Sequence, residues 1–393
     1  MLQYWLWLYQ MNGFSRRQKL ELLQHFEDPE TIYQCQRFDH IPNLTQEQTA
    51  ALQNKDLREV KILQNVCLRK NIGILTLSDE NYPRRLRNIP EPPLLLFYKG
   101  VLPDFEKQPA IGVVGTRKAT SYGVGVAKKF GAQLSASGSI VVSGGAAGVD
   151  TAALKGALDV QGQTVAVLGC GVDITYPISN RKLFMQIQEQ GCLMSEYLPG
   201  TSPKPWQFPE RNRIISGLSN GVLIIEAPEK SGALITARDA LEQGRDVYAV
   251  PGNIDMSSCA GSNALLGDGA AAVFTGWDIL KQYAAQYPDS VQAPVSGRAK
   301  TVLQVAQPTE KPTFDKKDID NPANNPYSVK IDDSSALTPA EETVLSVLSR
   351  TPVAMDDVMA QLDLPAAEVL QIITKLSLDG KVINHPGRLV SLR

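Results

Sequence analysis

Short glycine-rich runs follow several apolar segments of the chain, and their residue types suit the binding of an anion. Glycine lets backbone N–H groups approach an anion without obstruction by a Cβ atom, and a helix N-terminus adds a favourable dipole. A tight turn explains any single run, but several after successive strands predict a phosphate-binding crevice. The runs are Gly115-Thr116-Arg117, Ser143-Gly144-Gly145-Ala146-Ala147-Gly148, Gly169-Cys170-Gly171, Ser231-Gly232 and Pro251-Gly252-Asn253.

The charges around the first run favour the same chemistry. Arg117 directly follows an apolar segment at a glycine turn, where its planar guanidinium can clamp a phosphate. Lys128 and Lys129 lie opposite the apolar side of a predicted helix, so a solvated helix face explains them as well as a binding role does. Between Lys107 and Val149 the sequence holds no acidic residue and five basic ones, namely Lys107, Arg117, Lys118, Lys128 and Lys129.

A second stretch, from Pro199 to Asn220, combines prolines, aromatic rings and arginines. Its four prolines predict an extended loop that carries Trp206 and Phe208. Aromatic rings beside arginines suit stacking on nucleic-acid bases while the backbone phosphates are paired. The alternative is that both rings fill the core, where aromatic side chains commonly pack. The arginines follow at once, in the run Arg211-Asn212-Arg213.

The motifs and residues that several kinds of catalytic site require are missing from this sequence. It contains no GxxxxGK[ST] motif, and GTRKATSYG stands where a dinucleotide-binding GxGxxG would be expected. Its three histidines (His25, His40 and His385) fall outside the predicted sheet region, which excludes a histidine-based triad there. We therefore predict no catalytic residue, no cofactor and no metal site.

Four carboxylates follow predicted strands, and structural roles explain them better than acid–base catalysis. Helix capping is predicted for Asp150, and the glutamates are predicted to pair with Arg211 or Arg213. Nothing in their spacing pairs one with another. They are Asp150, Asp173, Glu196 and Glu226.

The composition of the chain excludes several classes of protein. The 393 residues include 39 Lys+Arg and 41 Asp+Glu, so bulk positive charge does not hold a nucleic acid. With 43% hydrophobic residues the chain is typical of globular proteins. Five cysteines without a CxxC pair favour a reducing cytoplasm. The apolar N-terminus MLQYWLWLYQMNGF reaches Arg16 too soon to span a bilayer and predicts a buried helix.

Apolar segments alternate with helical patterns from Ala110 to about Tyr283. Continuous apolar runs separated by crossover-length helices predict an α/β protein with a Rossmann-like, doubly wound parallel sheet covered on both faces. The stretch from Gly73 to Gly100 is predicted to extend that sheet or cover its edge. The apolar segments are IGVVG, IVVSGG, TVAVLG, CLMSE, VLIIE, VYAVPG and AAVF.

Further changes of pattern predict four regions. Residues 1–70 show helical periodicity, and 71–285 form the α/β domain. Residues 286–335 hold six prolines and few large apolar side chains, which predicts a flexible linker. Residues 336–393 predict three helices and a hairpin, a winged helix. Its recognition helix holds the single basic residue Lys375, which favours protein contact or accessory DNA contact over operator binding.

Seven motifs in order resemble the bacterial DNA-processing protein A family, also called DprA or Smf. The resemblance covers roughly residues 70–283 continuously. The helical front, of sterile-alpha-motif (SAM-like) type in that family, and the winged-helix end are arranged similarly. The motifs are GVVGTRKATSYG, SGGAAGVDTAAL, TVAVLGCGVDITYP, SEYLPG, FPERNRIISGLS, SGALITARDALEQGRDVYAVPG and GSNALLGDGA.

The resemblance implies a cytoplasmic, non-enzymatic homodimer that binds and protects incoming single-stranded DNA in natural transformation and loads the recombinase RecA onto it. Family members often carry a basic residue two positions before the Phe208-Pro209 pair. This sequence has Trp206 there, as a candidate stacking partner, and Lys204 two residues earlier. By motif, the DNA-binding residues are Gly115, Thr116 and Arg117; Ser143, Gly144 and Gly145, through N–H or hydroxyl groups; and Phe208, Arg211, Asn212 and Arg213.

Two alternatives stay open from the sequence. The fold and the SGGAAG turn are also similar to those of the lysine-decarboxylase-like nucleotide phosphoribohydrolases, which carry a PGGxGT turn followed closely by a glutamate. Here Asp150 follows the turn and no glutamate does. The other alternative is a transcription factor that acts through the winged helix.

Overall fold

The computed structural model describes residues 1–39, 41–294, 339–349, 351, 353–362, 364–379, 381–385 and 389–392. The chain divides into two units, one before residue 308 and one after it. Among the described residues, no helix combines the length and apolar character needed to cross a membrane.

The first 70 residues are helical, as predicted. Ser15 and Thr45 begin two of the helices with capping boxes, each side chain accepting a backbone N–H of the first turn. The apolar N-terminus is a buried helix, with Trp5 through Leu8 inside. The helices are α1 (Leu2–Gln10), α2 (Arg16–Phe26), α3 (Pro29–Gln34), α4 (Gln46–Gln53) and α5 (Arg58–Arg69).

This helical region does not form a core of its own. Its buried Trp5 and the sheet's buried Ile111 belong to one hydrophobic cluster. The Tyr9 ring lies edge-on to Phe97 at 6.1 Å, and the Tyr9 hydroxyl donates to the carbonyl of Glu196 at 2.5 Å. The prediction of a separate domain over 1–70 is therefore corrected, since the helices share the interior of the sheet unit.

A nine-stranded sheet forms the centre of the first unit, in the order β1-β2-β6-β5-β4-β3-β7-β8-β9. The pairs from β6 through β9 are parallel, whereas β1 and β2 add two antiparallel strands at one edge. The strands are β1 (Gly73–Thr76), β2 (Leu95–Gly100), β3 (Ala110–Val114), β4 (Ile140–Ser143), β5 (Thr164–Val167), β6 (Cys192–Ser195), β7 (Gly221–Ile224), β8 (Asp246–Ala249) and β9 (Ala271–Ala272).

Helices cover both faces of the sheet, which confirms the predicted doubly wound fold. Successive residues of a strand face opposite sides, and accordingly Ile111 and Val113 enter one hydrophobic cluster while Ala110 and Val114 enter another. The remaining helices are α6 (Arg84–Arg87), α7 (Ser121–Ala136), α8 (Val149–Asp159), α9 (Arg181–Gln190), α10 (Gln207–Leu218), α11 (Gly232–Glu242), α12 (Ala260–Gly267) and α13 (Gly276–Leu280).

Two boundaries differ from the prediction. Helix α10 begins at Gln207, so Phe208 lies on a helix and not on the extended loop that the prolines predict. Pro209 falls in the first turn of this helix, where a missing N–H costs nothing. The chain also stays packed past residue 285, since Tyr287 and Val291 are buried in the core. The predicted linker at 286–335 therefore does not include these two residues, and its part from residue 295 onward lies outside the described part of the chain.

The second unit confirms the predicted winged helix. Its core contains Val344, Val358, Val369 and Val390. Lys375, the basic residue of the predicted recognition helix, pairs with Glu341 at 2.6 Å. The helices are Pro339–Val347, Met355–Ala360 and Ala366–Leu378, and a three-stranded antiparallel sheet comprises Val353–Ala354, Val382–His385 and Leu389–Leu392.

Because α7 and α8 pack closely, we expect alanine substitutions at two glycines of α7 to have opposite effects on stability. A Cβ atom at Gly131 would lie 2.0 Å from the carbonyl oxygen of Ala153, whereas one at Gly125 would meet nothing within 4 Å. We expect Gly131→Ala to destabilise the fold by about 3 kcal/mol in urea unfolding, and Gly125→Ala to stabilise it by about 0.5–1 kcal/mol. Equal effects of the two substitutions would contradict this packing.

Candidate functional site

A cleft of about 460 Å³ opens at the carboxyl ends of β3 and β7. The strand order reverses there, with β4 to β6 on one side of β3 and β8 and β9 beyond β7. Doubly wound sheets bind ligands at such a switch point. Three of the five glycine-rich runs contribute residues to the cleft, whereas Gly169-Cys170-Gly171 and Pro251-Gly252-Asn253 do not. The lining includes Gly115, Thr116, Arg117, Lys118, Ala146, Asp150, Tyr176, Phe208, Arg211, Asn212, Lys230, Ser231 and Gly232.

Backbone contacts hold the three loops at the cleft together. The N–H of Thr116 donates to the carbonyl of Glu226 at 2.7 Å, and the N–H of Val149 donates to the carbonyl of Thr116 at 3.2 Å. Gly148 has φ +78°, and a Cβ atom there would lie 2.4 Å from the Thr116 oxygen. Only glycine permits this approach, so part of the glycine content serves loop packing.

The turn after β4 already uses groups that the family resemblance assigns to DNA. The Ser143 hydroxyl, fully buried, donates to the carbonyl of Val113 at 2.6 Å. The N–H groups of Gly144 and Ala146 donate to one carboxylate oxygen of Asp150 at 3.1 and 3.3 Å. Gly145, at φ +64°, lies against Phe184 outside the cleft lining. A phosphate would have to compete with Asp150 for this turn.

Asp150 and Arg211 are buried, oppositely charged residues that both line the cleft. The Arg211 guanidinium donates to the carbonyls of Gly144, at 2.7 Å, and Val167. Burial raises the pKa of Asp150 to about 6, although Arg211 opposes the rise. Burial likewise lowers the pKa of Arg211 to about 10, against the effect of Asp150. The expected helix cap at Asp150 is thus a clamp on the preceding turn.

One cation and two rings lie side by side at the rim of the cleft, with Arg117 and Tyr176 exposed and Phe208 half-buried. The Arg117 guanidinium carbon lies 5.0 Å from the centre of the Phe208 ring. The Tyr176 ring also lies beside Phe208, with ring centres 5.5 Å apart and planes tilted by 32°. Arg117, Lys118 and Lys230 are exposed, so this rim is positively charged. Such a rim offers stacking surfaces beside phosphate-binding cations.

Not all the predicted residues meet in the cleft. Asn212 lines it, and its side-chain amide donates to the carbonyl of Gly232 at 3.3 Å. Trp206 is 54% exposed, which rules out a core role, but it lies against Tyr197 outside the lining. Lys204 is exposed and also absent from the lining.

Arg213 lies away from the cleft, in an ion-pair network. Its guanidinium reaches Glu196 at 2.5 Å, and Arg16 of α2 reaches the same carboxylate at 2.9 Å. The predicted pairing of Glu196 with Arg213 is therefore present. The predicted pairing of Glu226 with Arg211 or Arg213 is not present. Glu226 instead accepts a hydrogen bond from the backbone N–H of Thr120 at 3.0 Å and so fixes the start of α7.

Sequence reasoning missed two members of the rim, Tyr176 and Lys230. Tyr176 lies in a quoted motif, but it comes nine residues after the end of β5, so nothing in the spacing brings it back to Phe208. Lys230 directly precedes the Ser231-Gly232 run. A basic residue beside a glycine-containing turn is also the pattern that identifies Arg117, so this signal could have identified Lys230.

The raised pKa of Asp150 predicts a pH dependence of stability. A carboxyl group whose folded pKa exceeds its unfolded value stabilises the fold below the unfolded pKa, and that contribution is lost as pH rises through the folded pKa. A rise in the pKa of Asp150 from its ordinary value of 3.8 to about 6 corresponds to a loss of about 3 kcal/mol. Asp150→Asn should therefore gain stability relative to wild type as pH rises from 4 to 7. Urea unfolding of both proteins measures this difference, and a flat difference would contradict it.

The fold and the cleft define a class of protein: a Rossmann-like α/β protein with a glycine-lined, positively rimmed switch point suited to phosphate groups, followed by a winged helix. Family models agree with both parts. DNA recombination-mediator protein A matches residues 73–284, and the DprA winged helix domain matches residues 331–388.

The chain belongs to the DNA-processing protein A (DprA/Smf) family. Protein Smf of Synechocystis is 34% identical over 98% of this chain and 97% of its own length. DNA processing protein DprA of Bacillus subtilis is 39% identical over 54% of this chain and 72% of its own length.

Solved structures of family members have the same fold. The X-ray structure of DprA from Streptococcus pneumoniae aligns with a TM-score of 0.61 at 33% identity, over 72% of this chain and 98% of that one. A structure concerning the single-stranded DNA binding mode of DprA from Helicobacter pylori aligns with a TM-score of 0.50 at 29% identity, over 55% of this chain and 97% of that one.

Proposed function

We propose that this protein binds single-stranded DNA along the cleft rim, protects it, and loads the recombinase RecA onto it during natural transformation. The observation that carries the proposal is the grouping of Arg117, Phe208 and Tyr176 at the mouth of a glycine-lined crevice. The rings can stack on unpaired bases while Arg117, Lys118 and Lys230 pair with phosphates. The ligand reported for the Helicobacter pylori relative supports this assignment.

Selectivity for a single strand follows from the rim. Bases in a duplex stack on each other, so their faces are not open to Phe208 and Tyr176, whereas an unpaired strand presents them. The winged helix contributes protein contact or accessory DNA contact in this proposal, because Lys375 is already paired with Glu341. The working form is a homodimer in the cytoplasm, where RecA acts.

We propose a binding function without catalysis. Asp150 is the acidic residue that lines the cleft among the described residues, and its carboxylate is buried and accepts two backbone N–H groups. That arrangement keeps it from the solvent-facing position of a general base. Release of free base from nucleoside monophosphates would instead favour the phosphoribohydrolase-like alternative.

The loading step is testable with RecA on single-stranded DNA coated by single-strand binding protein. RecA ATP hydrolysis reports filament growth, and wild-type protein should shorten the lag before hydrolysis begins. Arg117→Ala should lose this effect, while Lys128→Ala, on the outer face of α7 and paired with Asp159 at 2.8 Å, should keep it. An unchanged lag with wild-type protein would contradict the proposal.

A further inference from the structure

A second pocket, of about 390 Å³, lies between the N-terminal helices and the sheet. The end of α1, the loop 11–14 and the start of α2 form one wall, and Leu94 with residues 196–198 forms the other. It shares no lining residue with the cleft at the switch point. Any ligand here would therefore be independent of the DNA proposed above.

Lys19 places a buried positive charge in the wall of this pocket. The residue is only 8% exposed, and its ammonium donates to the carbonyl of Tyr9 at 2.5 Å. The ammonium also lies 5.7 Å from the centre of the Tyr9 ring. Burial lowers the pKa of Lys19 to about 8. An ammonium has three donors and is rarely buried without an anionic partner.

Within the described residues, no carboxylate lies within ion-pair distance of Lys19. Glu196 lines the pocket, but its two oxygens are held by Arg16 at 2.9 Å and Arg213 at 2.5 Å. Gln10 also lines the pocket, and its side-chain oxygen is buried without a hydrogen-bond partner. The pocket thus offers an uncompensated cation and an unused acceptor.

We propose that this pocket binds a small oxyanion, a phosphate or carboxylate compound carrying a hydroxyl group. The oxyanion would pair with the Lys19 ammonium, and the hydroxyl would donate to the Gln10 side-chain oxygen. Both of these residues belong to the wall that α1 and α2 form, so a bound anion would stabilise the packing of these two helices.

The test is the acetylation of lysines with N-hydroxysuccinimidyl acetate, read peptide by peptide with mass spectrometry. Inorganic phosphate and acetate are titrated separately, with sodium chloride adjusted to hold ionic strength constant. Lys55 is the matched control, because its ammonium also lies among aromatic rings and donates to a carbonyl, that of Ile32 at 3.3 Å, but it does not line the pocket.

At an anion concentration three times Kd, labelling of Lys19 should fall about fourfold, with Lys55 unchanged. Protection by phosphate alone identifies a phosphate site, and protection by acetate alone a carboxylate site. Unchanged labelling of Lys19 with both anions, or an equal fall at Lys55, would overturn the proposal.

Thermal unfolding separates this site from the DNA cleft. The protecting anion should raise the Tm of wild type and Arg117→Ala, and the rise should be absent in Lys19→Met. Because Arg117→Ala lacks the proposed DNA contact, its response is independent of DNA binding. A rise that persists in Lys19→Met would place the anion elsewhere and contradict the proposal.

Discussion

Replacing Arg117 with alanine is expected to weaken binding of single-stranded DNA by about 10- to 100-fold. A hydrogen bond between charged groups contributes about 1.5–3 kcal/mol, and each 1.4 kcal/mol is about a factor of ten. Arg117 is exposed at the cleft mouth and lies over the Phe208 ring, so its replacement removes the proposed phosphate contact and leaves the core untouched. Fluorescence anisotropy of a labelled oligonucleotide measures the change.

The salt dependence of binding provides a second readout for Arg117. Loss of one phosphate contact on a single strand should lower the slope of log affinity against log salt by about 0.7. Lys128→Ala is the matched control, since it removes the same charge from the outer face of α7. An Arg117 variant that binds like the Lys128 variant would exclude the rim as the DNA contact.

Phe208→Ala tests the stacking part of the same contact. Base–aromatic stacking contributes about 1–3 kcal/mol per base and carries no charge. This substitution should therefore weaken binding and leave the salt slope unchanged, in contrast with Arg117→Ala.

Replacing Arg211 with alanine should destabilise the fold by about 3–5 kcal/mol, because it leaves a buried carboxylate without its cation. Arg211 is 4% exposed and Asp150 5%. The guanidinium also satisfies the carbonyls of Gly144 and Val167, so the turn after β4 loses its support. Urea unfolding at neutral pH measures the loss.

Arg213→Ala is the matched control, since Arg213 is a half-buried arginine two positions further along α10. Its partner Glu196 keeps Arg16 at 2.9 Å, so the carboxylate stays paired and the loss should be smaller. Asp150→Asn combined with Arg211→Ala should cost less than the sum of the two single changes. An additive double variant, or an Arg211 variant as stable as the Arg213 variant, would contradict the buried pair.

Much of the fold is predictable from the sequence because parallel strands are buried on both faces. Runs such as IGVVG and IVVSGG are continuous and apolar for that reason, and glycine turns mark their carboxyl ends. Those ends share one edge of the sheet, so the position of the cleft follows from the strand pattern. Arg117 is identifiable because it lies three residues after the end of β3, in a glycine-containing turn.

The different positions of Arg211 and Arg213 do not follow from the sequence, because the prolines before them predict a loop and not a helix. Helix α10 begins at Gln207, and residues two apart on a helix are turned by about 200°. Arg211 therefore faces the cleft and Arg213 the ion-pair network. The sequence does not reveal where α10 begins, since a proline in the first turn of a helix cannot be distinguished from a proline in a loop.

Other features depend on contacts between distant segments, which a single sequence does not display. The clamp of Asp150 on Gly144 and Ala146 depends on where α8 begins relative to the turn. The shared core of the N-terminal helices and the sheet depends on contacts such as Tyr9 with Phe97. Local periodicity specifies a helix and its apolar face, but it does not specify what that face packs against.

The most direct test of DNA binding at the rim is photocrosslinking of a single-stranded oligonucleotide that carries 5-iodouracil, followed by mapping of the modified peptides. Bases stacked on the rim should crosslink to the peptides that contain Tyr176 and Phe208, and Arg117→Ala should reduce the yield at both. Crosslinks confined to residues 366–378 of the winged helix, with none at the rim, would contradict binding in the cleft.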